Sequence, residues 1–192
     1  MKVTIDGQEI EVEAGTTILQ AARMIGGEVV PPAMCYYSKL KGSGGKCRCC
    51  LVDVTKGSDA DPRPMPKLMA SCVTGCQDGM EIASKASARV QEARKSVTEF
   101  LLINHPLDCP ICDQAGECDL QDLSFEHGKP QSRFIEEKRT FEPEDIGPNI
   151  QLHMNRCILC QRCVQIADHL TDNRVHGVMD RGDHANISTC IS

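Results

Sequence analysis

Cysteine is the residue type in this sequence that most clearly points to a chemical function. The chain has 13 cysteines in 192 residues. The first group has the spacing Cys-x11-Cys-x2-Cys-x21-Cys, and three glycines lie between its first two members. A glycine-rich loop lets backbone N–H groups approach the negatively charged sulfur of an iron–sulfur cluster. The pattern predicts a [2Fe–2S] site, or alternatively a four-cysteine zinc site. The ligands would be Cys35, Cys47, Cys50 and Cys72, with Cys49 and Cys76 open as substitutes.

A second group combines one imidazole with three thiols in the spacing His-x3-Cys-x2-Cys-x5-Cys. It provides four ligands within a short segment, which suits the four corners of a [4Fe–4S] cluster. A Cys3His zinc site uses the same ligand types, so both readings stay open on ligand chemistry alone. The residues are His105, Cys109, Cys112 and Cys118.

A third group, Cys-x2-Cys-x2-Cys, is the run that holds three corners of a [4Fe–4S] cluster. Its members are Cys157, Cys160 and Cys163, and Cys190 is the only cysteine that follows them. In ferredoxins with paired clusters the run continues x3-Cys-Pro, whereas Val164 to Ala167 follow here. We therefore expect a partial second [4Fe–4S] site, which assembles only if a fourth ligand is supplied.

Composition excludes several functions. The net charge of −6 argues against binding to nucleic acid, which needs a concentrated basic surface. The first residues form neither an apolar signal peptide nor an acid-poor transit peptide, and no apolar run is long enough to span a bilayer. We expect reduced thiols in a cytoplasm. With four Phe, two Tyr and no Trp, bound metal is expected to help stabilise small domains.

Elements that could position the first group are recognisable in the N-terminal part. Alternating residues on both sides of Asp6-Gly7 predict a tight β-hairpin, and Thr16 or Thr17 can cap a helix that ends at Gly26-Gly27. Further strands are expected at 50–54 and 80–83, which gives a β-grasp pattern. A helix with an apolar stripe is predicted from Ser84 to about Asn104.

These patterns predict an α+β chain. Its N-terminal β-grasp part resembles the plant-type [2Fe–2S] ferredoxin domain, and a small mostly helical domain for the His-plus-Cys group and an incomplete ferredoxin-like segment are expected after it. A polar, proline-containing stretch at 136–149 is interpreted as a boundary between the last two. The expected limits are 1–83, 84–104 for the connecting helix, 105–145 and 146–192.

The segment from His105 to Gln121 closely resembles the His(Cys)3 motif of the large iron–sulfur subunit of respiratory NADH:quinone oxidoreductase (complex I). Diaphorase subunits of NAD-reducing hydrogenases and [FeFe] hydrogenases share this motif. The resemblance implies that the second group binds one [4Fe–4S] cluster. Segments 30–37, 47–52 and 70–80 resemble the family's [2Fe–2S] loops, which implies Cys72 rather than Cys76 as the fourth ligand. An aromatic residue usually stands where Cys190 lies, so the resemblance argues against that cysteine as a ligand and implies a truncated version or fragment of a longer subunit.

The resemblance implies an electron-transfer subunit that relays electrons from a subunit binding NADH and flavin towards quinone. No catalytic residue is expected on the chain, and neither is an NADH or quinone site, since no Gly-x-Gly-x-x-Gly segment is present. Partners would be other peripheral-arm subunits, which would hold it on the cytoplasmic side of the inner (cell) membrane. The alternatives are a diaphorase subunit of an NAD-reducing hydrogenase and, in another class, a zinc-stapled interaction module.

Overall fold

The computed structural model describes residues 1–171 and 174–189. Its first feature is the predicted hairpin, in which β1 (Lys2–Ile5) pairs antiparallel with β2 (Gln8–Glu11). Both turn residues have positive φ, +47° at Asp6 and +81° at Gly7, as the mirror-image turns of two-residue hairpins require. The Asp6 carboxylate also accepts the N–H groups of Ser84, Lys85 and Ala86 at 2.7, 2.8 and 3.4 Å. The turn is thereby fixed to a segment almost eighty residues away.

A five-stranded mixed sheet is completed by β3 (Leu51–Lys56), β4 (Met69–Ala70) and β5 (Met80–Ala83). The strand order is β2-β1-β5-β3-β4, with β1 parallel to β5 and the other neighbours antiparallel. Its inward side chains form the main core, which includes Val3, Ile5, Val54, Met80 and Ile82. The short β4 was not expected from the sequence, and it places the following residue pair, 71–72, beside the loop that precedes β3.

The first helix, α1 (Ile18–Ile25), covers this core with Ile18, Ala21 and Ala22. Thr17 begins it through a capping box, in which its hydroxyl accepts the Gln20 N–H and the Gln20 side chain accepts the Thr17 N–H. Thr17, rather than Thr16, is thus the cap.

The connecting helix, α2 (Ala88–Leu102), is shorter than predicted. Ser87 caps it, because its backbone is extended and its hydroxyl accepts the Val90 N–H at 3.4 Å, while the three preceding residues are held by Asp6. The predicted apolar stripe, made of Val90, Ala93, Val97, Phe100, Leu101 and Asn104, is also partly wrong. Phe100 is 75% exposed, while Arg94 and Thr98 are buried with Val90. A third helix, α3 (Asp119–His127), packs against α2.

The last part of the chain contains α4 (Arg162–Leu170) and two small hairpins that the sequence did not indicate. The strand β6 (Glu144–Asp145) pairs with β7 (Gln151–Leu152), and β8 (His176–Met179) pairs with β9 (Asn186–Thr189). A separate small core forms here around Met154, Val164 and Ile187. Phe141 packs on that core, so the polar stretch at 136–149 contributes to it in addition to linking two regions.

The described residues therefore form a mixed sheet, two small antiparallel ladders and four α-helices, which confirms the predicted α+β class. No helix in 1–171 and 174–189 combines the length and apolar character needed to cross a bilayer.

Candidate metal centres

Three loops of the sheet domain bring the first cysteine group together. Cys35 follows the single helical turn Gly27–Val29, Cys47 and Cys50 precede β3, and Cys72 follows β4. All four side chains are buried. The thiol of Cys35 interacts with those of Cys47 and Cys72, and Cys72 in turn interacts with Cys50. The four sulfur atoms thus form one contiguous set in a site shielded from water.

Backbone N–H groups of the glycine loop point at these sulfurs. Gly45 donates to Cys72 Sγ at 3.1 Å, while Lys46 and Cys47 donate to Cys35 Sγ at 3.3 and 3.4 Å. At Gly44, φ is +109° and a Cβ would lie 3.2 Å from Cys72 Sγ, so a side chain there would crowd the sulfur. Such donors stabilise negative charge on thiolate sulfur, which a cluster ligand must carry.

The thiols of this site differ in their pKa values. Hydrogen bonds from the Cys47 and Cys72 thiols lower the pKa of Cys35 to about 2. A hydrogen bond from Cys72 lowers the pKa of Cys50 to about 6. The same contacts with Cys35 raise the pKa values of Cys47 and Cys72. The site therefore favours thiolate at two of the four positions before any metal contributes its charge.

Two further cysteines lie near in sequence but not in the set. Cys76 is buried in the main core, packed with residues of the sheet and α1, and burial raises the pKa of its thiol. Cys49 directs its thiol to the Cys47 carbonyl at 3.7 Å. Of the two candidates for the fourth position, the structure brings Cys72, and not Cys76, to Cys35 and Cys50.

The second group lines one cavity of about 410 Å3, at the end of α2. Cys109 begins a single helical turn, Cys118 is the N-cap residue of α3, and Gly116 between them has φ +87°. The Gly116 N–H donates to the Gln121 side chain at 3.1 Å, which ties this loop to α3. His105, Cys112 and the other two ligand candidates therefore all face the same space.

Basic side chains surround this cavity. Lys138 donates to the carbonyls of Leu102 and Ile103 at 2.9 and 2.8 Å, and Arg156 pairs with Asp108 at 3.2 Å. Burial, and secondarily Lys138, lowers the pKa of His105. The imidazole is therefore favoured in its neutral form, the only one that can donate an electron pair to a metal.

The third group lies on a loop with unusual backbone geometry. Leu159 and Gln161 have φ of +53° and +60°, and the Leu159 N–H donates to Cys157 Sγ at 3.3 Å. Cys160 packs against the buried cluster that contains Cys35 and Cys47 of the first group. Arg162 donates to the Tyr36 carbonyl at 3.0 Å, so the start of α4 is docked on the first site. Cys190, the only later cysteine, lies outside the described residues.

The zinc alternative requires ligands arranged around a single ion. Within the described part of the chain, no group of three or more His, Cys, Asp or Glu side chains has that arrangement. Ligands of a polynuclear cluster are distributed over several irons and need not meet it.

Sequence reasoning missed the basic residues around these sites. Arg94 is buried and interacts electrostatically with Cys50 and Cys49, while Lys138 and Arg156 border the second site. A signal for Arg94 was present, because it stands four residues after Val90 on the apolar face of α2. The other two carried no local signal.

Three family models match successive parts of the chain. Residues 1–87 match a 2Fe-2S iron–sulfur cluster binding domain, and residues 94–133 match an NADH-ubiquinone oxidoreductase-G iron–sulfur binding region. Residues 147–192 match the ferredoxin-like domain of NADH-quinone oxidoreductase subunit 3.

Curated relatives match the chain over its full length. It is 46% identical to the G-type subunit of NADH-quinone oxidoreductase from Rickettsia bellii and 45% identical to the mitochondrial NADH-ubiquinone oxidoreductase 78 kDa subunit of Candida albicans. These alignments cover 100% of the chain but 26% and 25% of those proteins, so the chain spans about a quarter of their length.

Among solved structures, an NAD+-reducing [NiFe]-hydrogenase in the H2-reduced state is similar, with a TM-score of 0.83 at 28% identity. That similarity covers 98% of this chain and 74% of the hydrogenase chain. The identity to the NADH-quinone oxidoreductase relatives extends over the whole of this chain. It agrees with the three iron–sulfur family models, which match successive parts of the chain. Over its whole length, the chain matches the N-terminal iron–sulfur region of G-type subunits of NADH-quinone oxidoreductase.

Proposed function

We propose that this chain is an iron–sulfur electron-transfer part of an NADH:quinone oxidoreductase, relaying electrons from a subunit that binds NADH and flavin towards quinone. The observation that carries the proposal is the convergence of four buried thiols with backbone N–H donors inside the region that matches a 2Fe-2S binding domain. Bound iron–sulfur clusters accept and release electrons one at a time, which is the only chemistry this function needs.

The ligand sets follow from this proposal. Cys35, Cys47, Cys50 and Cys72 would hold a [2Fe–2S] cluster in a β-grasp domain over 1–83. A [4Fe–4S] cluster would be held by His105, Cys109, Cys112 and Cys118 within 105–145, and three corners of a second by Cys157, Cys160 and Cys163 within 146–192. The first set is supported by the close approach of the Gly44 backbone to Cys72 Sγ, by the N–H donors and by the lowered thiol pKa values. The common cavity and the neutral imidazole support the second.

The chain's residues contribute surroundings rather than catalysis. Burial of the first site excludes water from the thiolates, and the glycine loop supplies fixed donors to their charge. Lys138 places positive charge beside the second site, where it favours negatively charged ligands, whereas Arg156 is paired there with Asp108. NADH, flavin and quinone would bind to other subunits. Those partners would hold the chain at the cytoplasmic side of the cell membrane.

A diaphorase subunit of an NAD-reducing hydrogenase is the second candidate, because the structural similarity to such an enzyme extends over nearly the whole chain. Sequence identity favours complex I, since it is 46% for the Rickettsia bellii relative and 28% for the hydrogenase chain. Both candidates use the same electron-transfer chemistry.

Anaerobic purification with iron and sulfide analysis and EPR spectroscopy tests the proposal. Two clusters give about six irons per chain, and a third raises this to about ten. His105→Ala should disturb one [4Fe–4S] signal and leave the [2Fe–2S] signal intact. A value near ten that falls on Cys190→Ser would identify Cys190 as the missing ligand. A colourless, zinc-loaded protein would refute the proposal.

A further inference from the structure

Arg94 occupies an unusual position beside the proposed [2Fe–2S] site. It is 4% exposed, and it lies on the side of α2 that faces the sheet domain, between the buried Val90 and Thr98. Val97 and Leu101 pack from the same helix against the group that contains Cys35, Cys47 and Cys49. The arginine therefore reaches into the interface between α2 and the cysteine loops.

Its guanidinium is incompletely paired. One terminal N–H donates to Ser84 Oγ at 2.9 Å, while the buried Nε has no hydrogen-bond partner. Among the residues that the structure describes, no carboxylate oxygen lies within 4.0 Å of it. Because arginine stays charged in proteins and a buried charge is costly unless compensated, a negative group nearby must offset it.

Three sources of negative charge act on Arg94. Glu126 has a side chain that is 65% exposed, so water and salt screen its effect. The carboxylate of Asp6 already accepts three backbone N–H groups. The third source is the buried cysteine group, since Cys50 and Cys49 interact electrostatically with Arg94. Four thiolates with two irons and two sulfides make a dianion, and reduction adds a further negative charge.

We propose that Arg94 is the buried counter-charge of the [2Fe–2S] cluster and that it raises the reduction potential of this cluster. The inference rests on the proposed ligand set of Cys35, Cys47, Cys50 and Cys72. A fixed cation attracts the reduced cluster more strongly than the oxidised one, because the reduced cluster carries the larger negative charge. The difference is large in a buried site, where solvent screens it little.

EPR-monitored redox titration of the whole chain tests this role. Arg94→Gln keeps hydrogen-bonding capacity and removes the charge, so it should disfavour reduction of the [2Fe–2S] cluster at least about tenfold, a shift of about 59 mV to more negative potential for one electron. Arg94→Lys retains the charge and should shift the potential less. Arg89→Gln is the matched control on the same helix, because Arg89 is 51% exposed and binds the Pro66 carbonyl. The [2Fe–2S] reduction potential of the Arg89→Gln protein should equal that of the unaltered chain.

The possible results are distinguishable. An Arg94→Gln protein with full iron content and an unchanged [2Fe–2S] potential would overturn the inference. It would show that Arg94 only donates a hydrogen bond to Ser84. If Arg94→Gln fails to assemble the cluster, the [2Fe–2S] reduction potentials of Arg94→Lys and Ser84→Ala test the inference instead. Both retain the positive charge, so a tenfold or larger effect in either would overturn the inference, and potentials near that of the unaltered chain would support it. Absence of any [2Fe–2S] signal from the unaltered chain would instead refute the proposed function.

Discussion

Gly44 provides the most direct test of the first site's geometry. Its φ of +109° is one that side-chain-bearing residues rarely adopt. A Cβ on its backbone would lie 3.2 Å from Cys72 Sγ and 3.3 Å from Val73 Cγ1. Gly44→Ala therefore strains the backbone and displaces a proposed ligand at the same time.

The size of the effect follows from those two contributions. A left-handed backbone costs a side-chain-bearing residue about 1–2 kcal/mol. Forcing an extra methyl group into a packed site typically costs about 1–3 kcal/mol more. We expect Gly44→Ala to destabilise the loaded protein by at least about 2 kcal/mol, which lowers the melting temperature of a protein this size by about 4–8 °C.

The assay is loss of the [2Fe–2S] visible absorbance at a fixed heating rate, together with iron and sulfide per chain. Gly45→Ala is the matched control for backbone strain, because Gly45 has φ +71° but its nearest neighbour, Val73 Cγ1, lies at 3.5 Å. Gly75→Ala controls for the substitution itself, since no atom lies within 4 Å and its φ is not in the left-handed range. We expect the damage to rank Gly44 above Gly45 above Gly75. A Gly44→Ala protein no more affected than Gly45→Ala would refute the crowding of Cys72.

Three further predictions test separate parts of the structure. Cys76→Ser should lower thermal stability, because it puts a hydroxyl in the main core, but the [2Fe–2S] EPR signal should persist. Cys72→Ser should abolish or alter that signal. The opposite pattern would reverse the ligand assignment. Thr17→Ala removes the capping box with Gln20 and should cost about 1 kcal/mol in unfolding free energy, with an unchanged melting curve arguing against the cap. Burial lowers the pKa of His127, so the neutral form is favoured in the folded state and stability should fall as pH drops below about 6.5. Hydrogen exchange of α3 between neutral and mildly acidic pH should show that loss, and His127→Gln should reduce it; equal pH dependence in both proteins would exclude His127 as its source.

The N-terminal elements could be predicted from the sequence because their signals are local. The Asp6-Gly7 turn needs two residues that tolerate positive φ, and a helix that starts at Thr17 needs a hydroxyl three residues before a glutamine. Neither depends on distant parts of the chain. Where a distant residue intervened, prediction failed: the segment before Ser87, which was predicted as helix, instead binds the Asp6 carboxylate through its N–H groups, and α2 begins after Ser87.

The two C-terminal hairpins escaped prediction for a related reason. The strands β6 and β7 are two residues long, and β8 and β9 four, which is too short for alternation to stand out. Their stability comes from partners and from the small core around Met154 and Ile187 rather than from strand propensity.

The sequence by itself indicated which residues are candidate metal ligands and which family the chain resembles, because both follow from the residue types and their spacing along the chain. Only the tertiary structure decided which thiols meet. It puts Cys72 with Cys35 and Cys50 through the pairing of β4 with β3, and leaves Cys76 in the core. It alone also placed Arg94 beside them. Contacts between residues far apart in the chain depend on how strands and helices pack, and no local pattern encodes that packing.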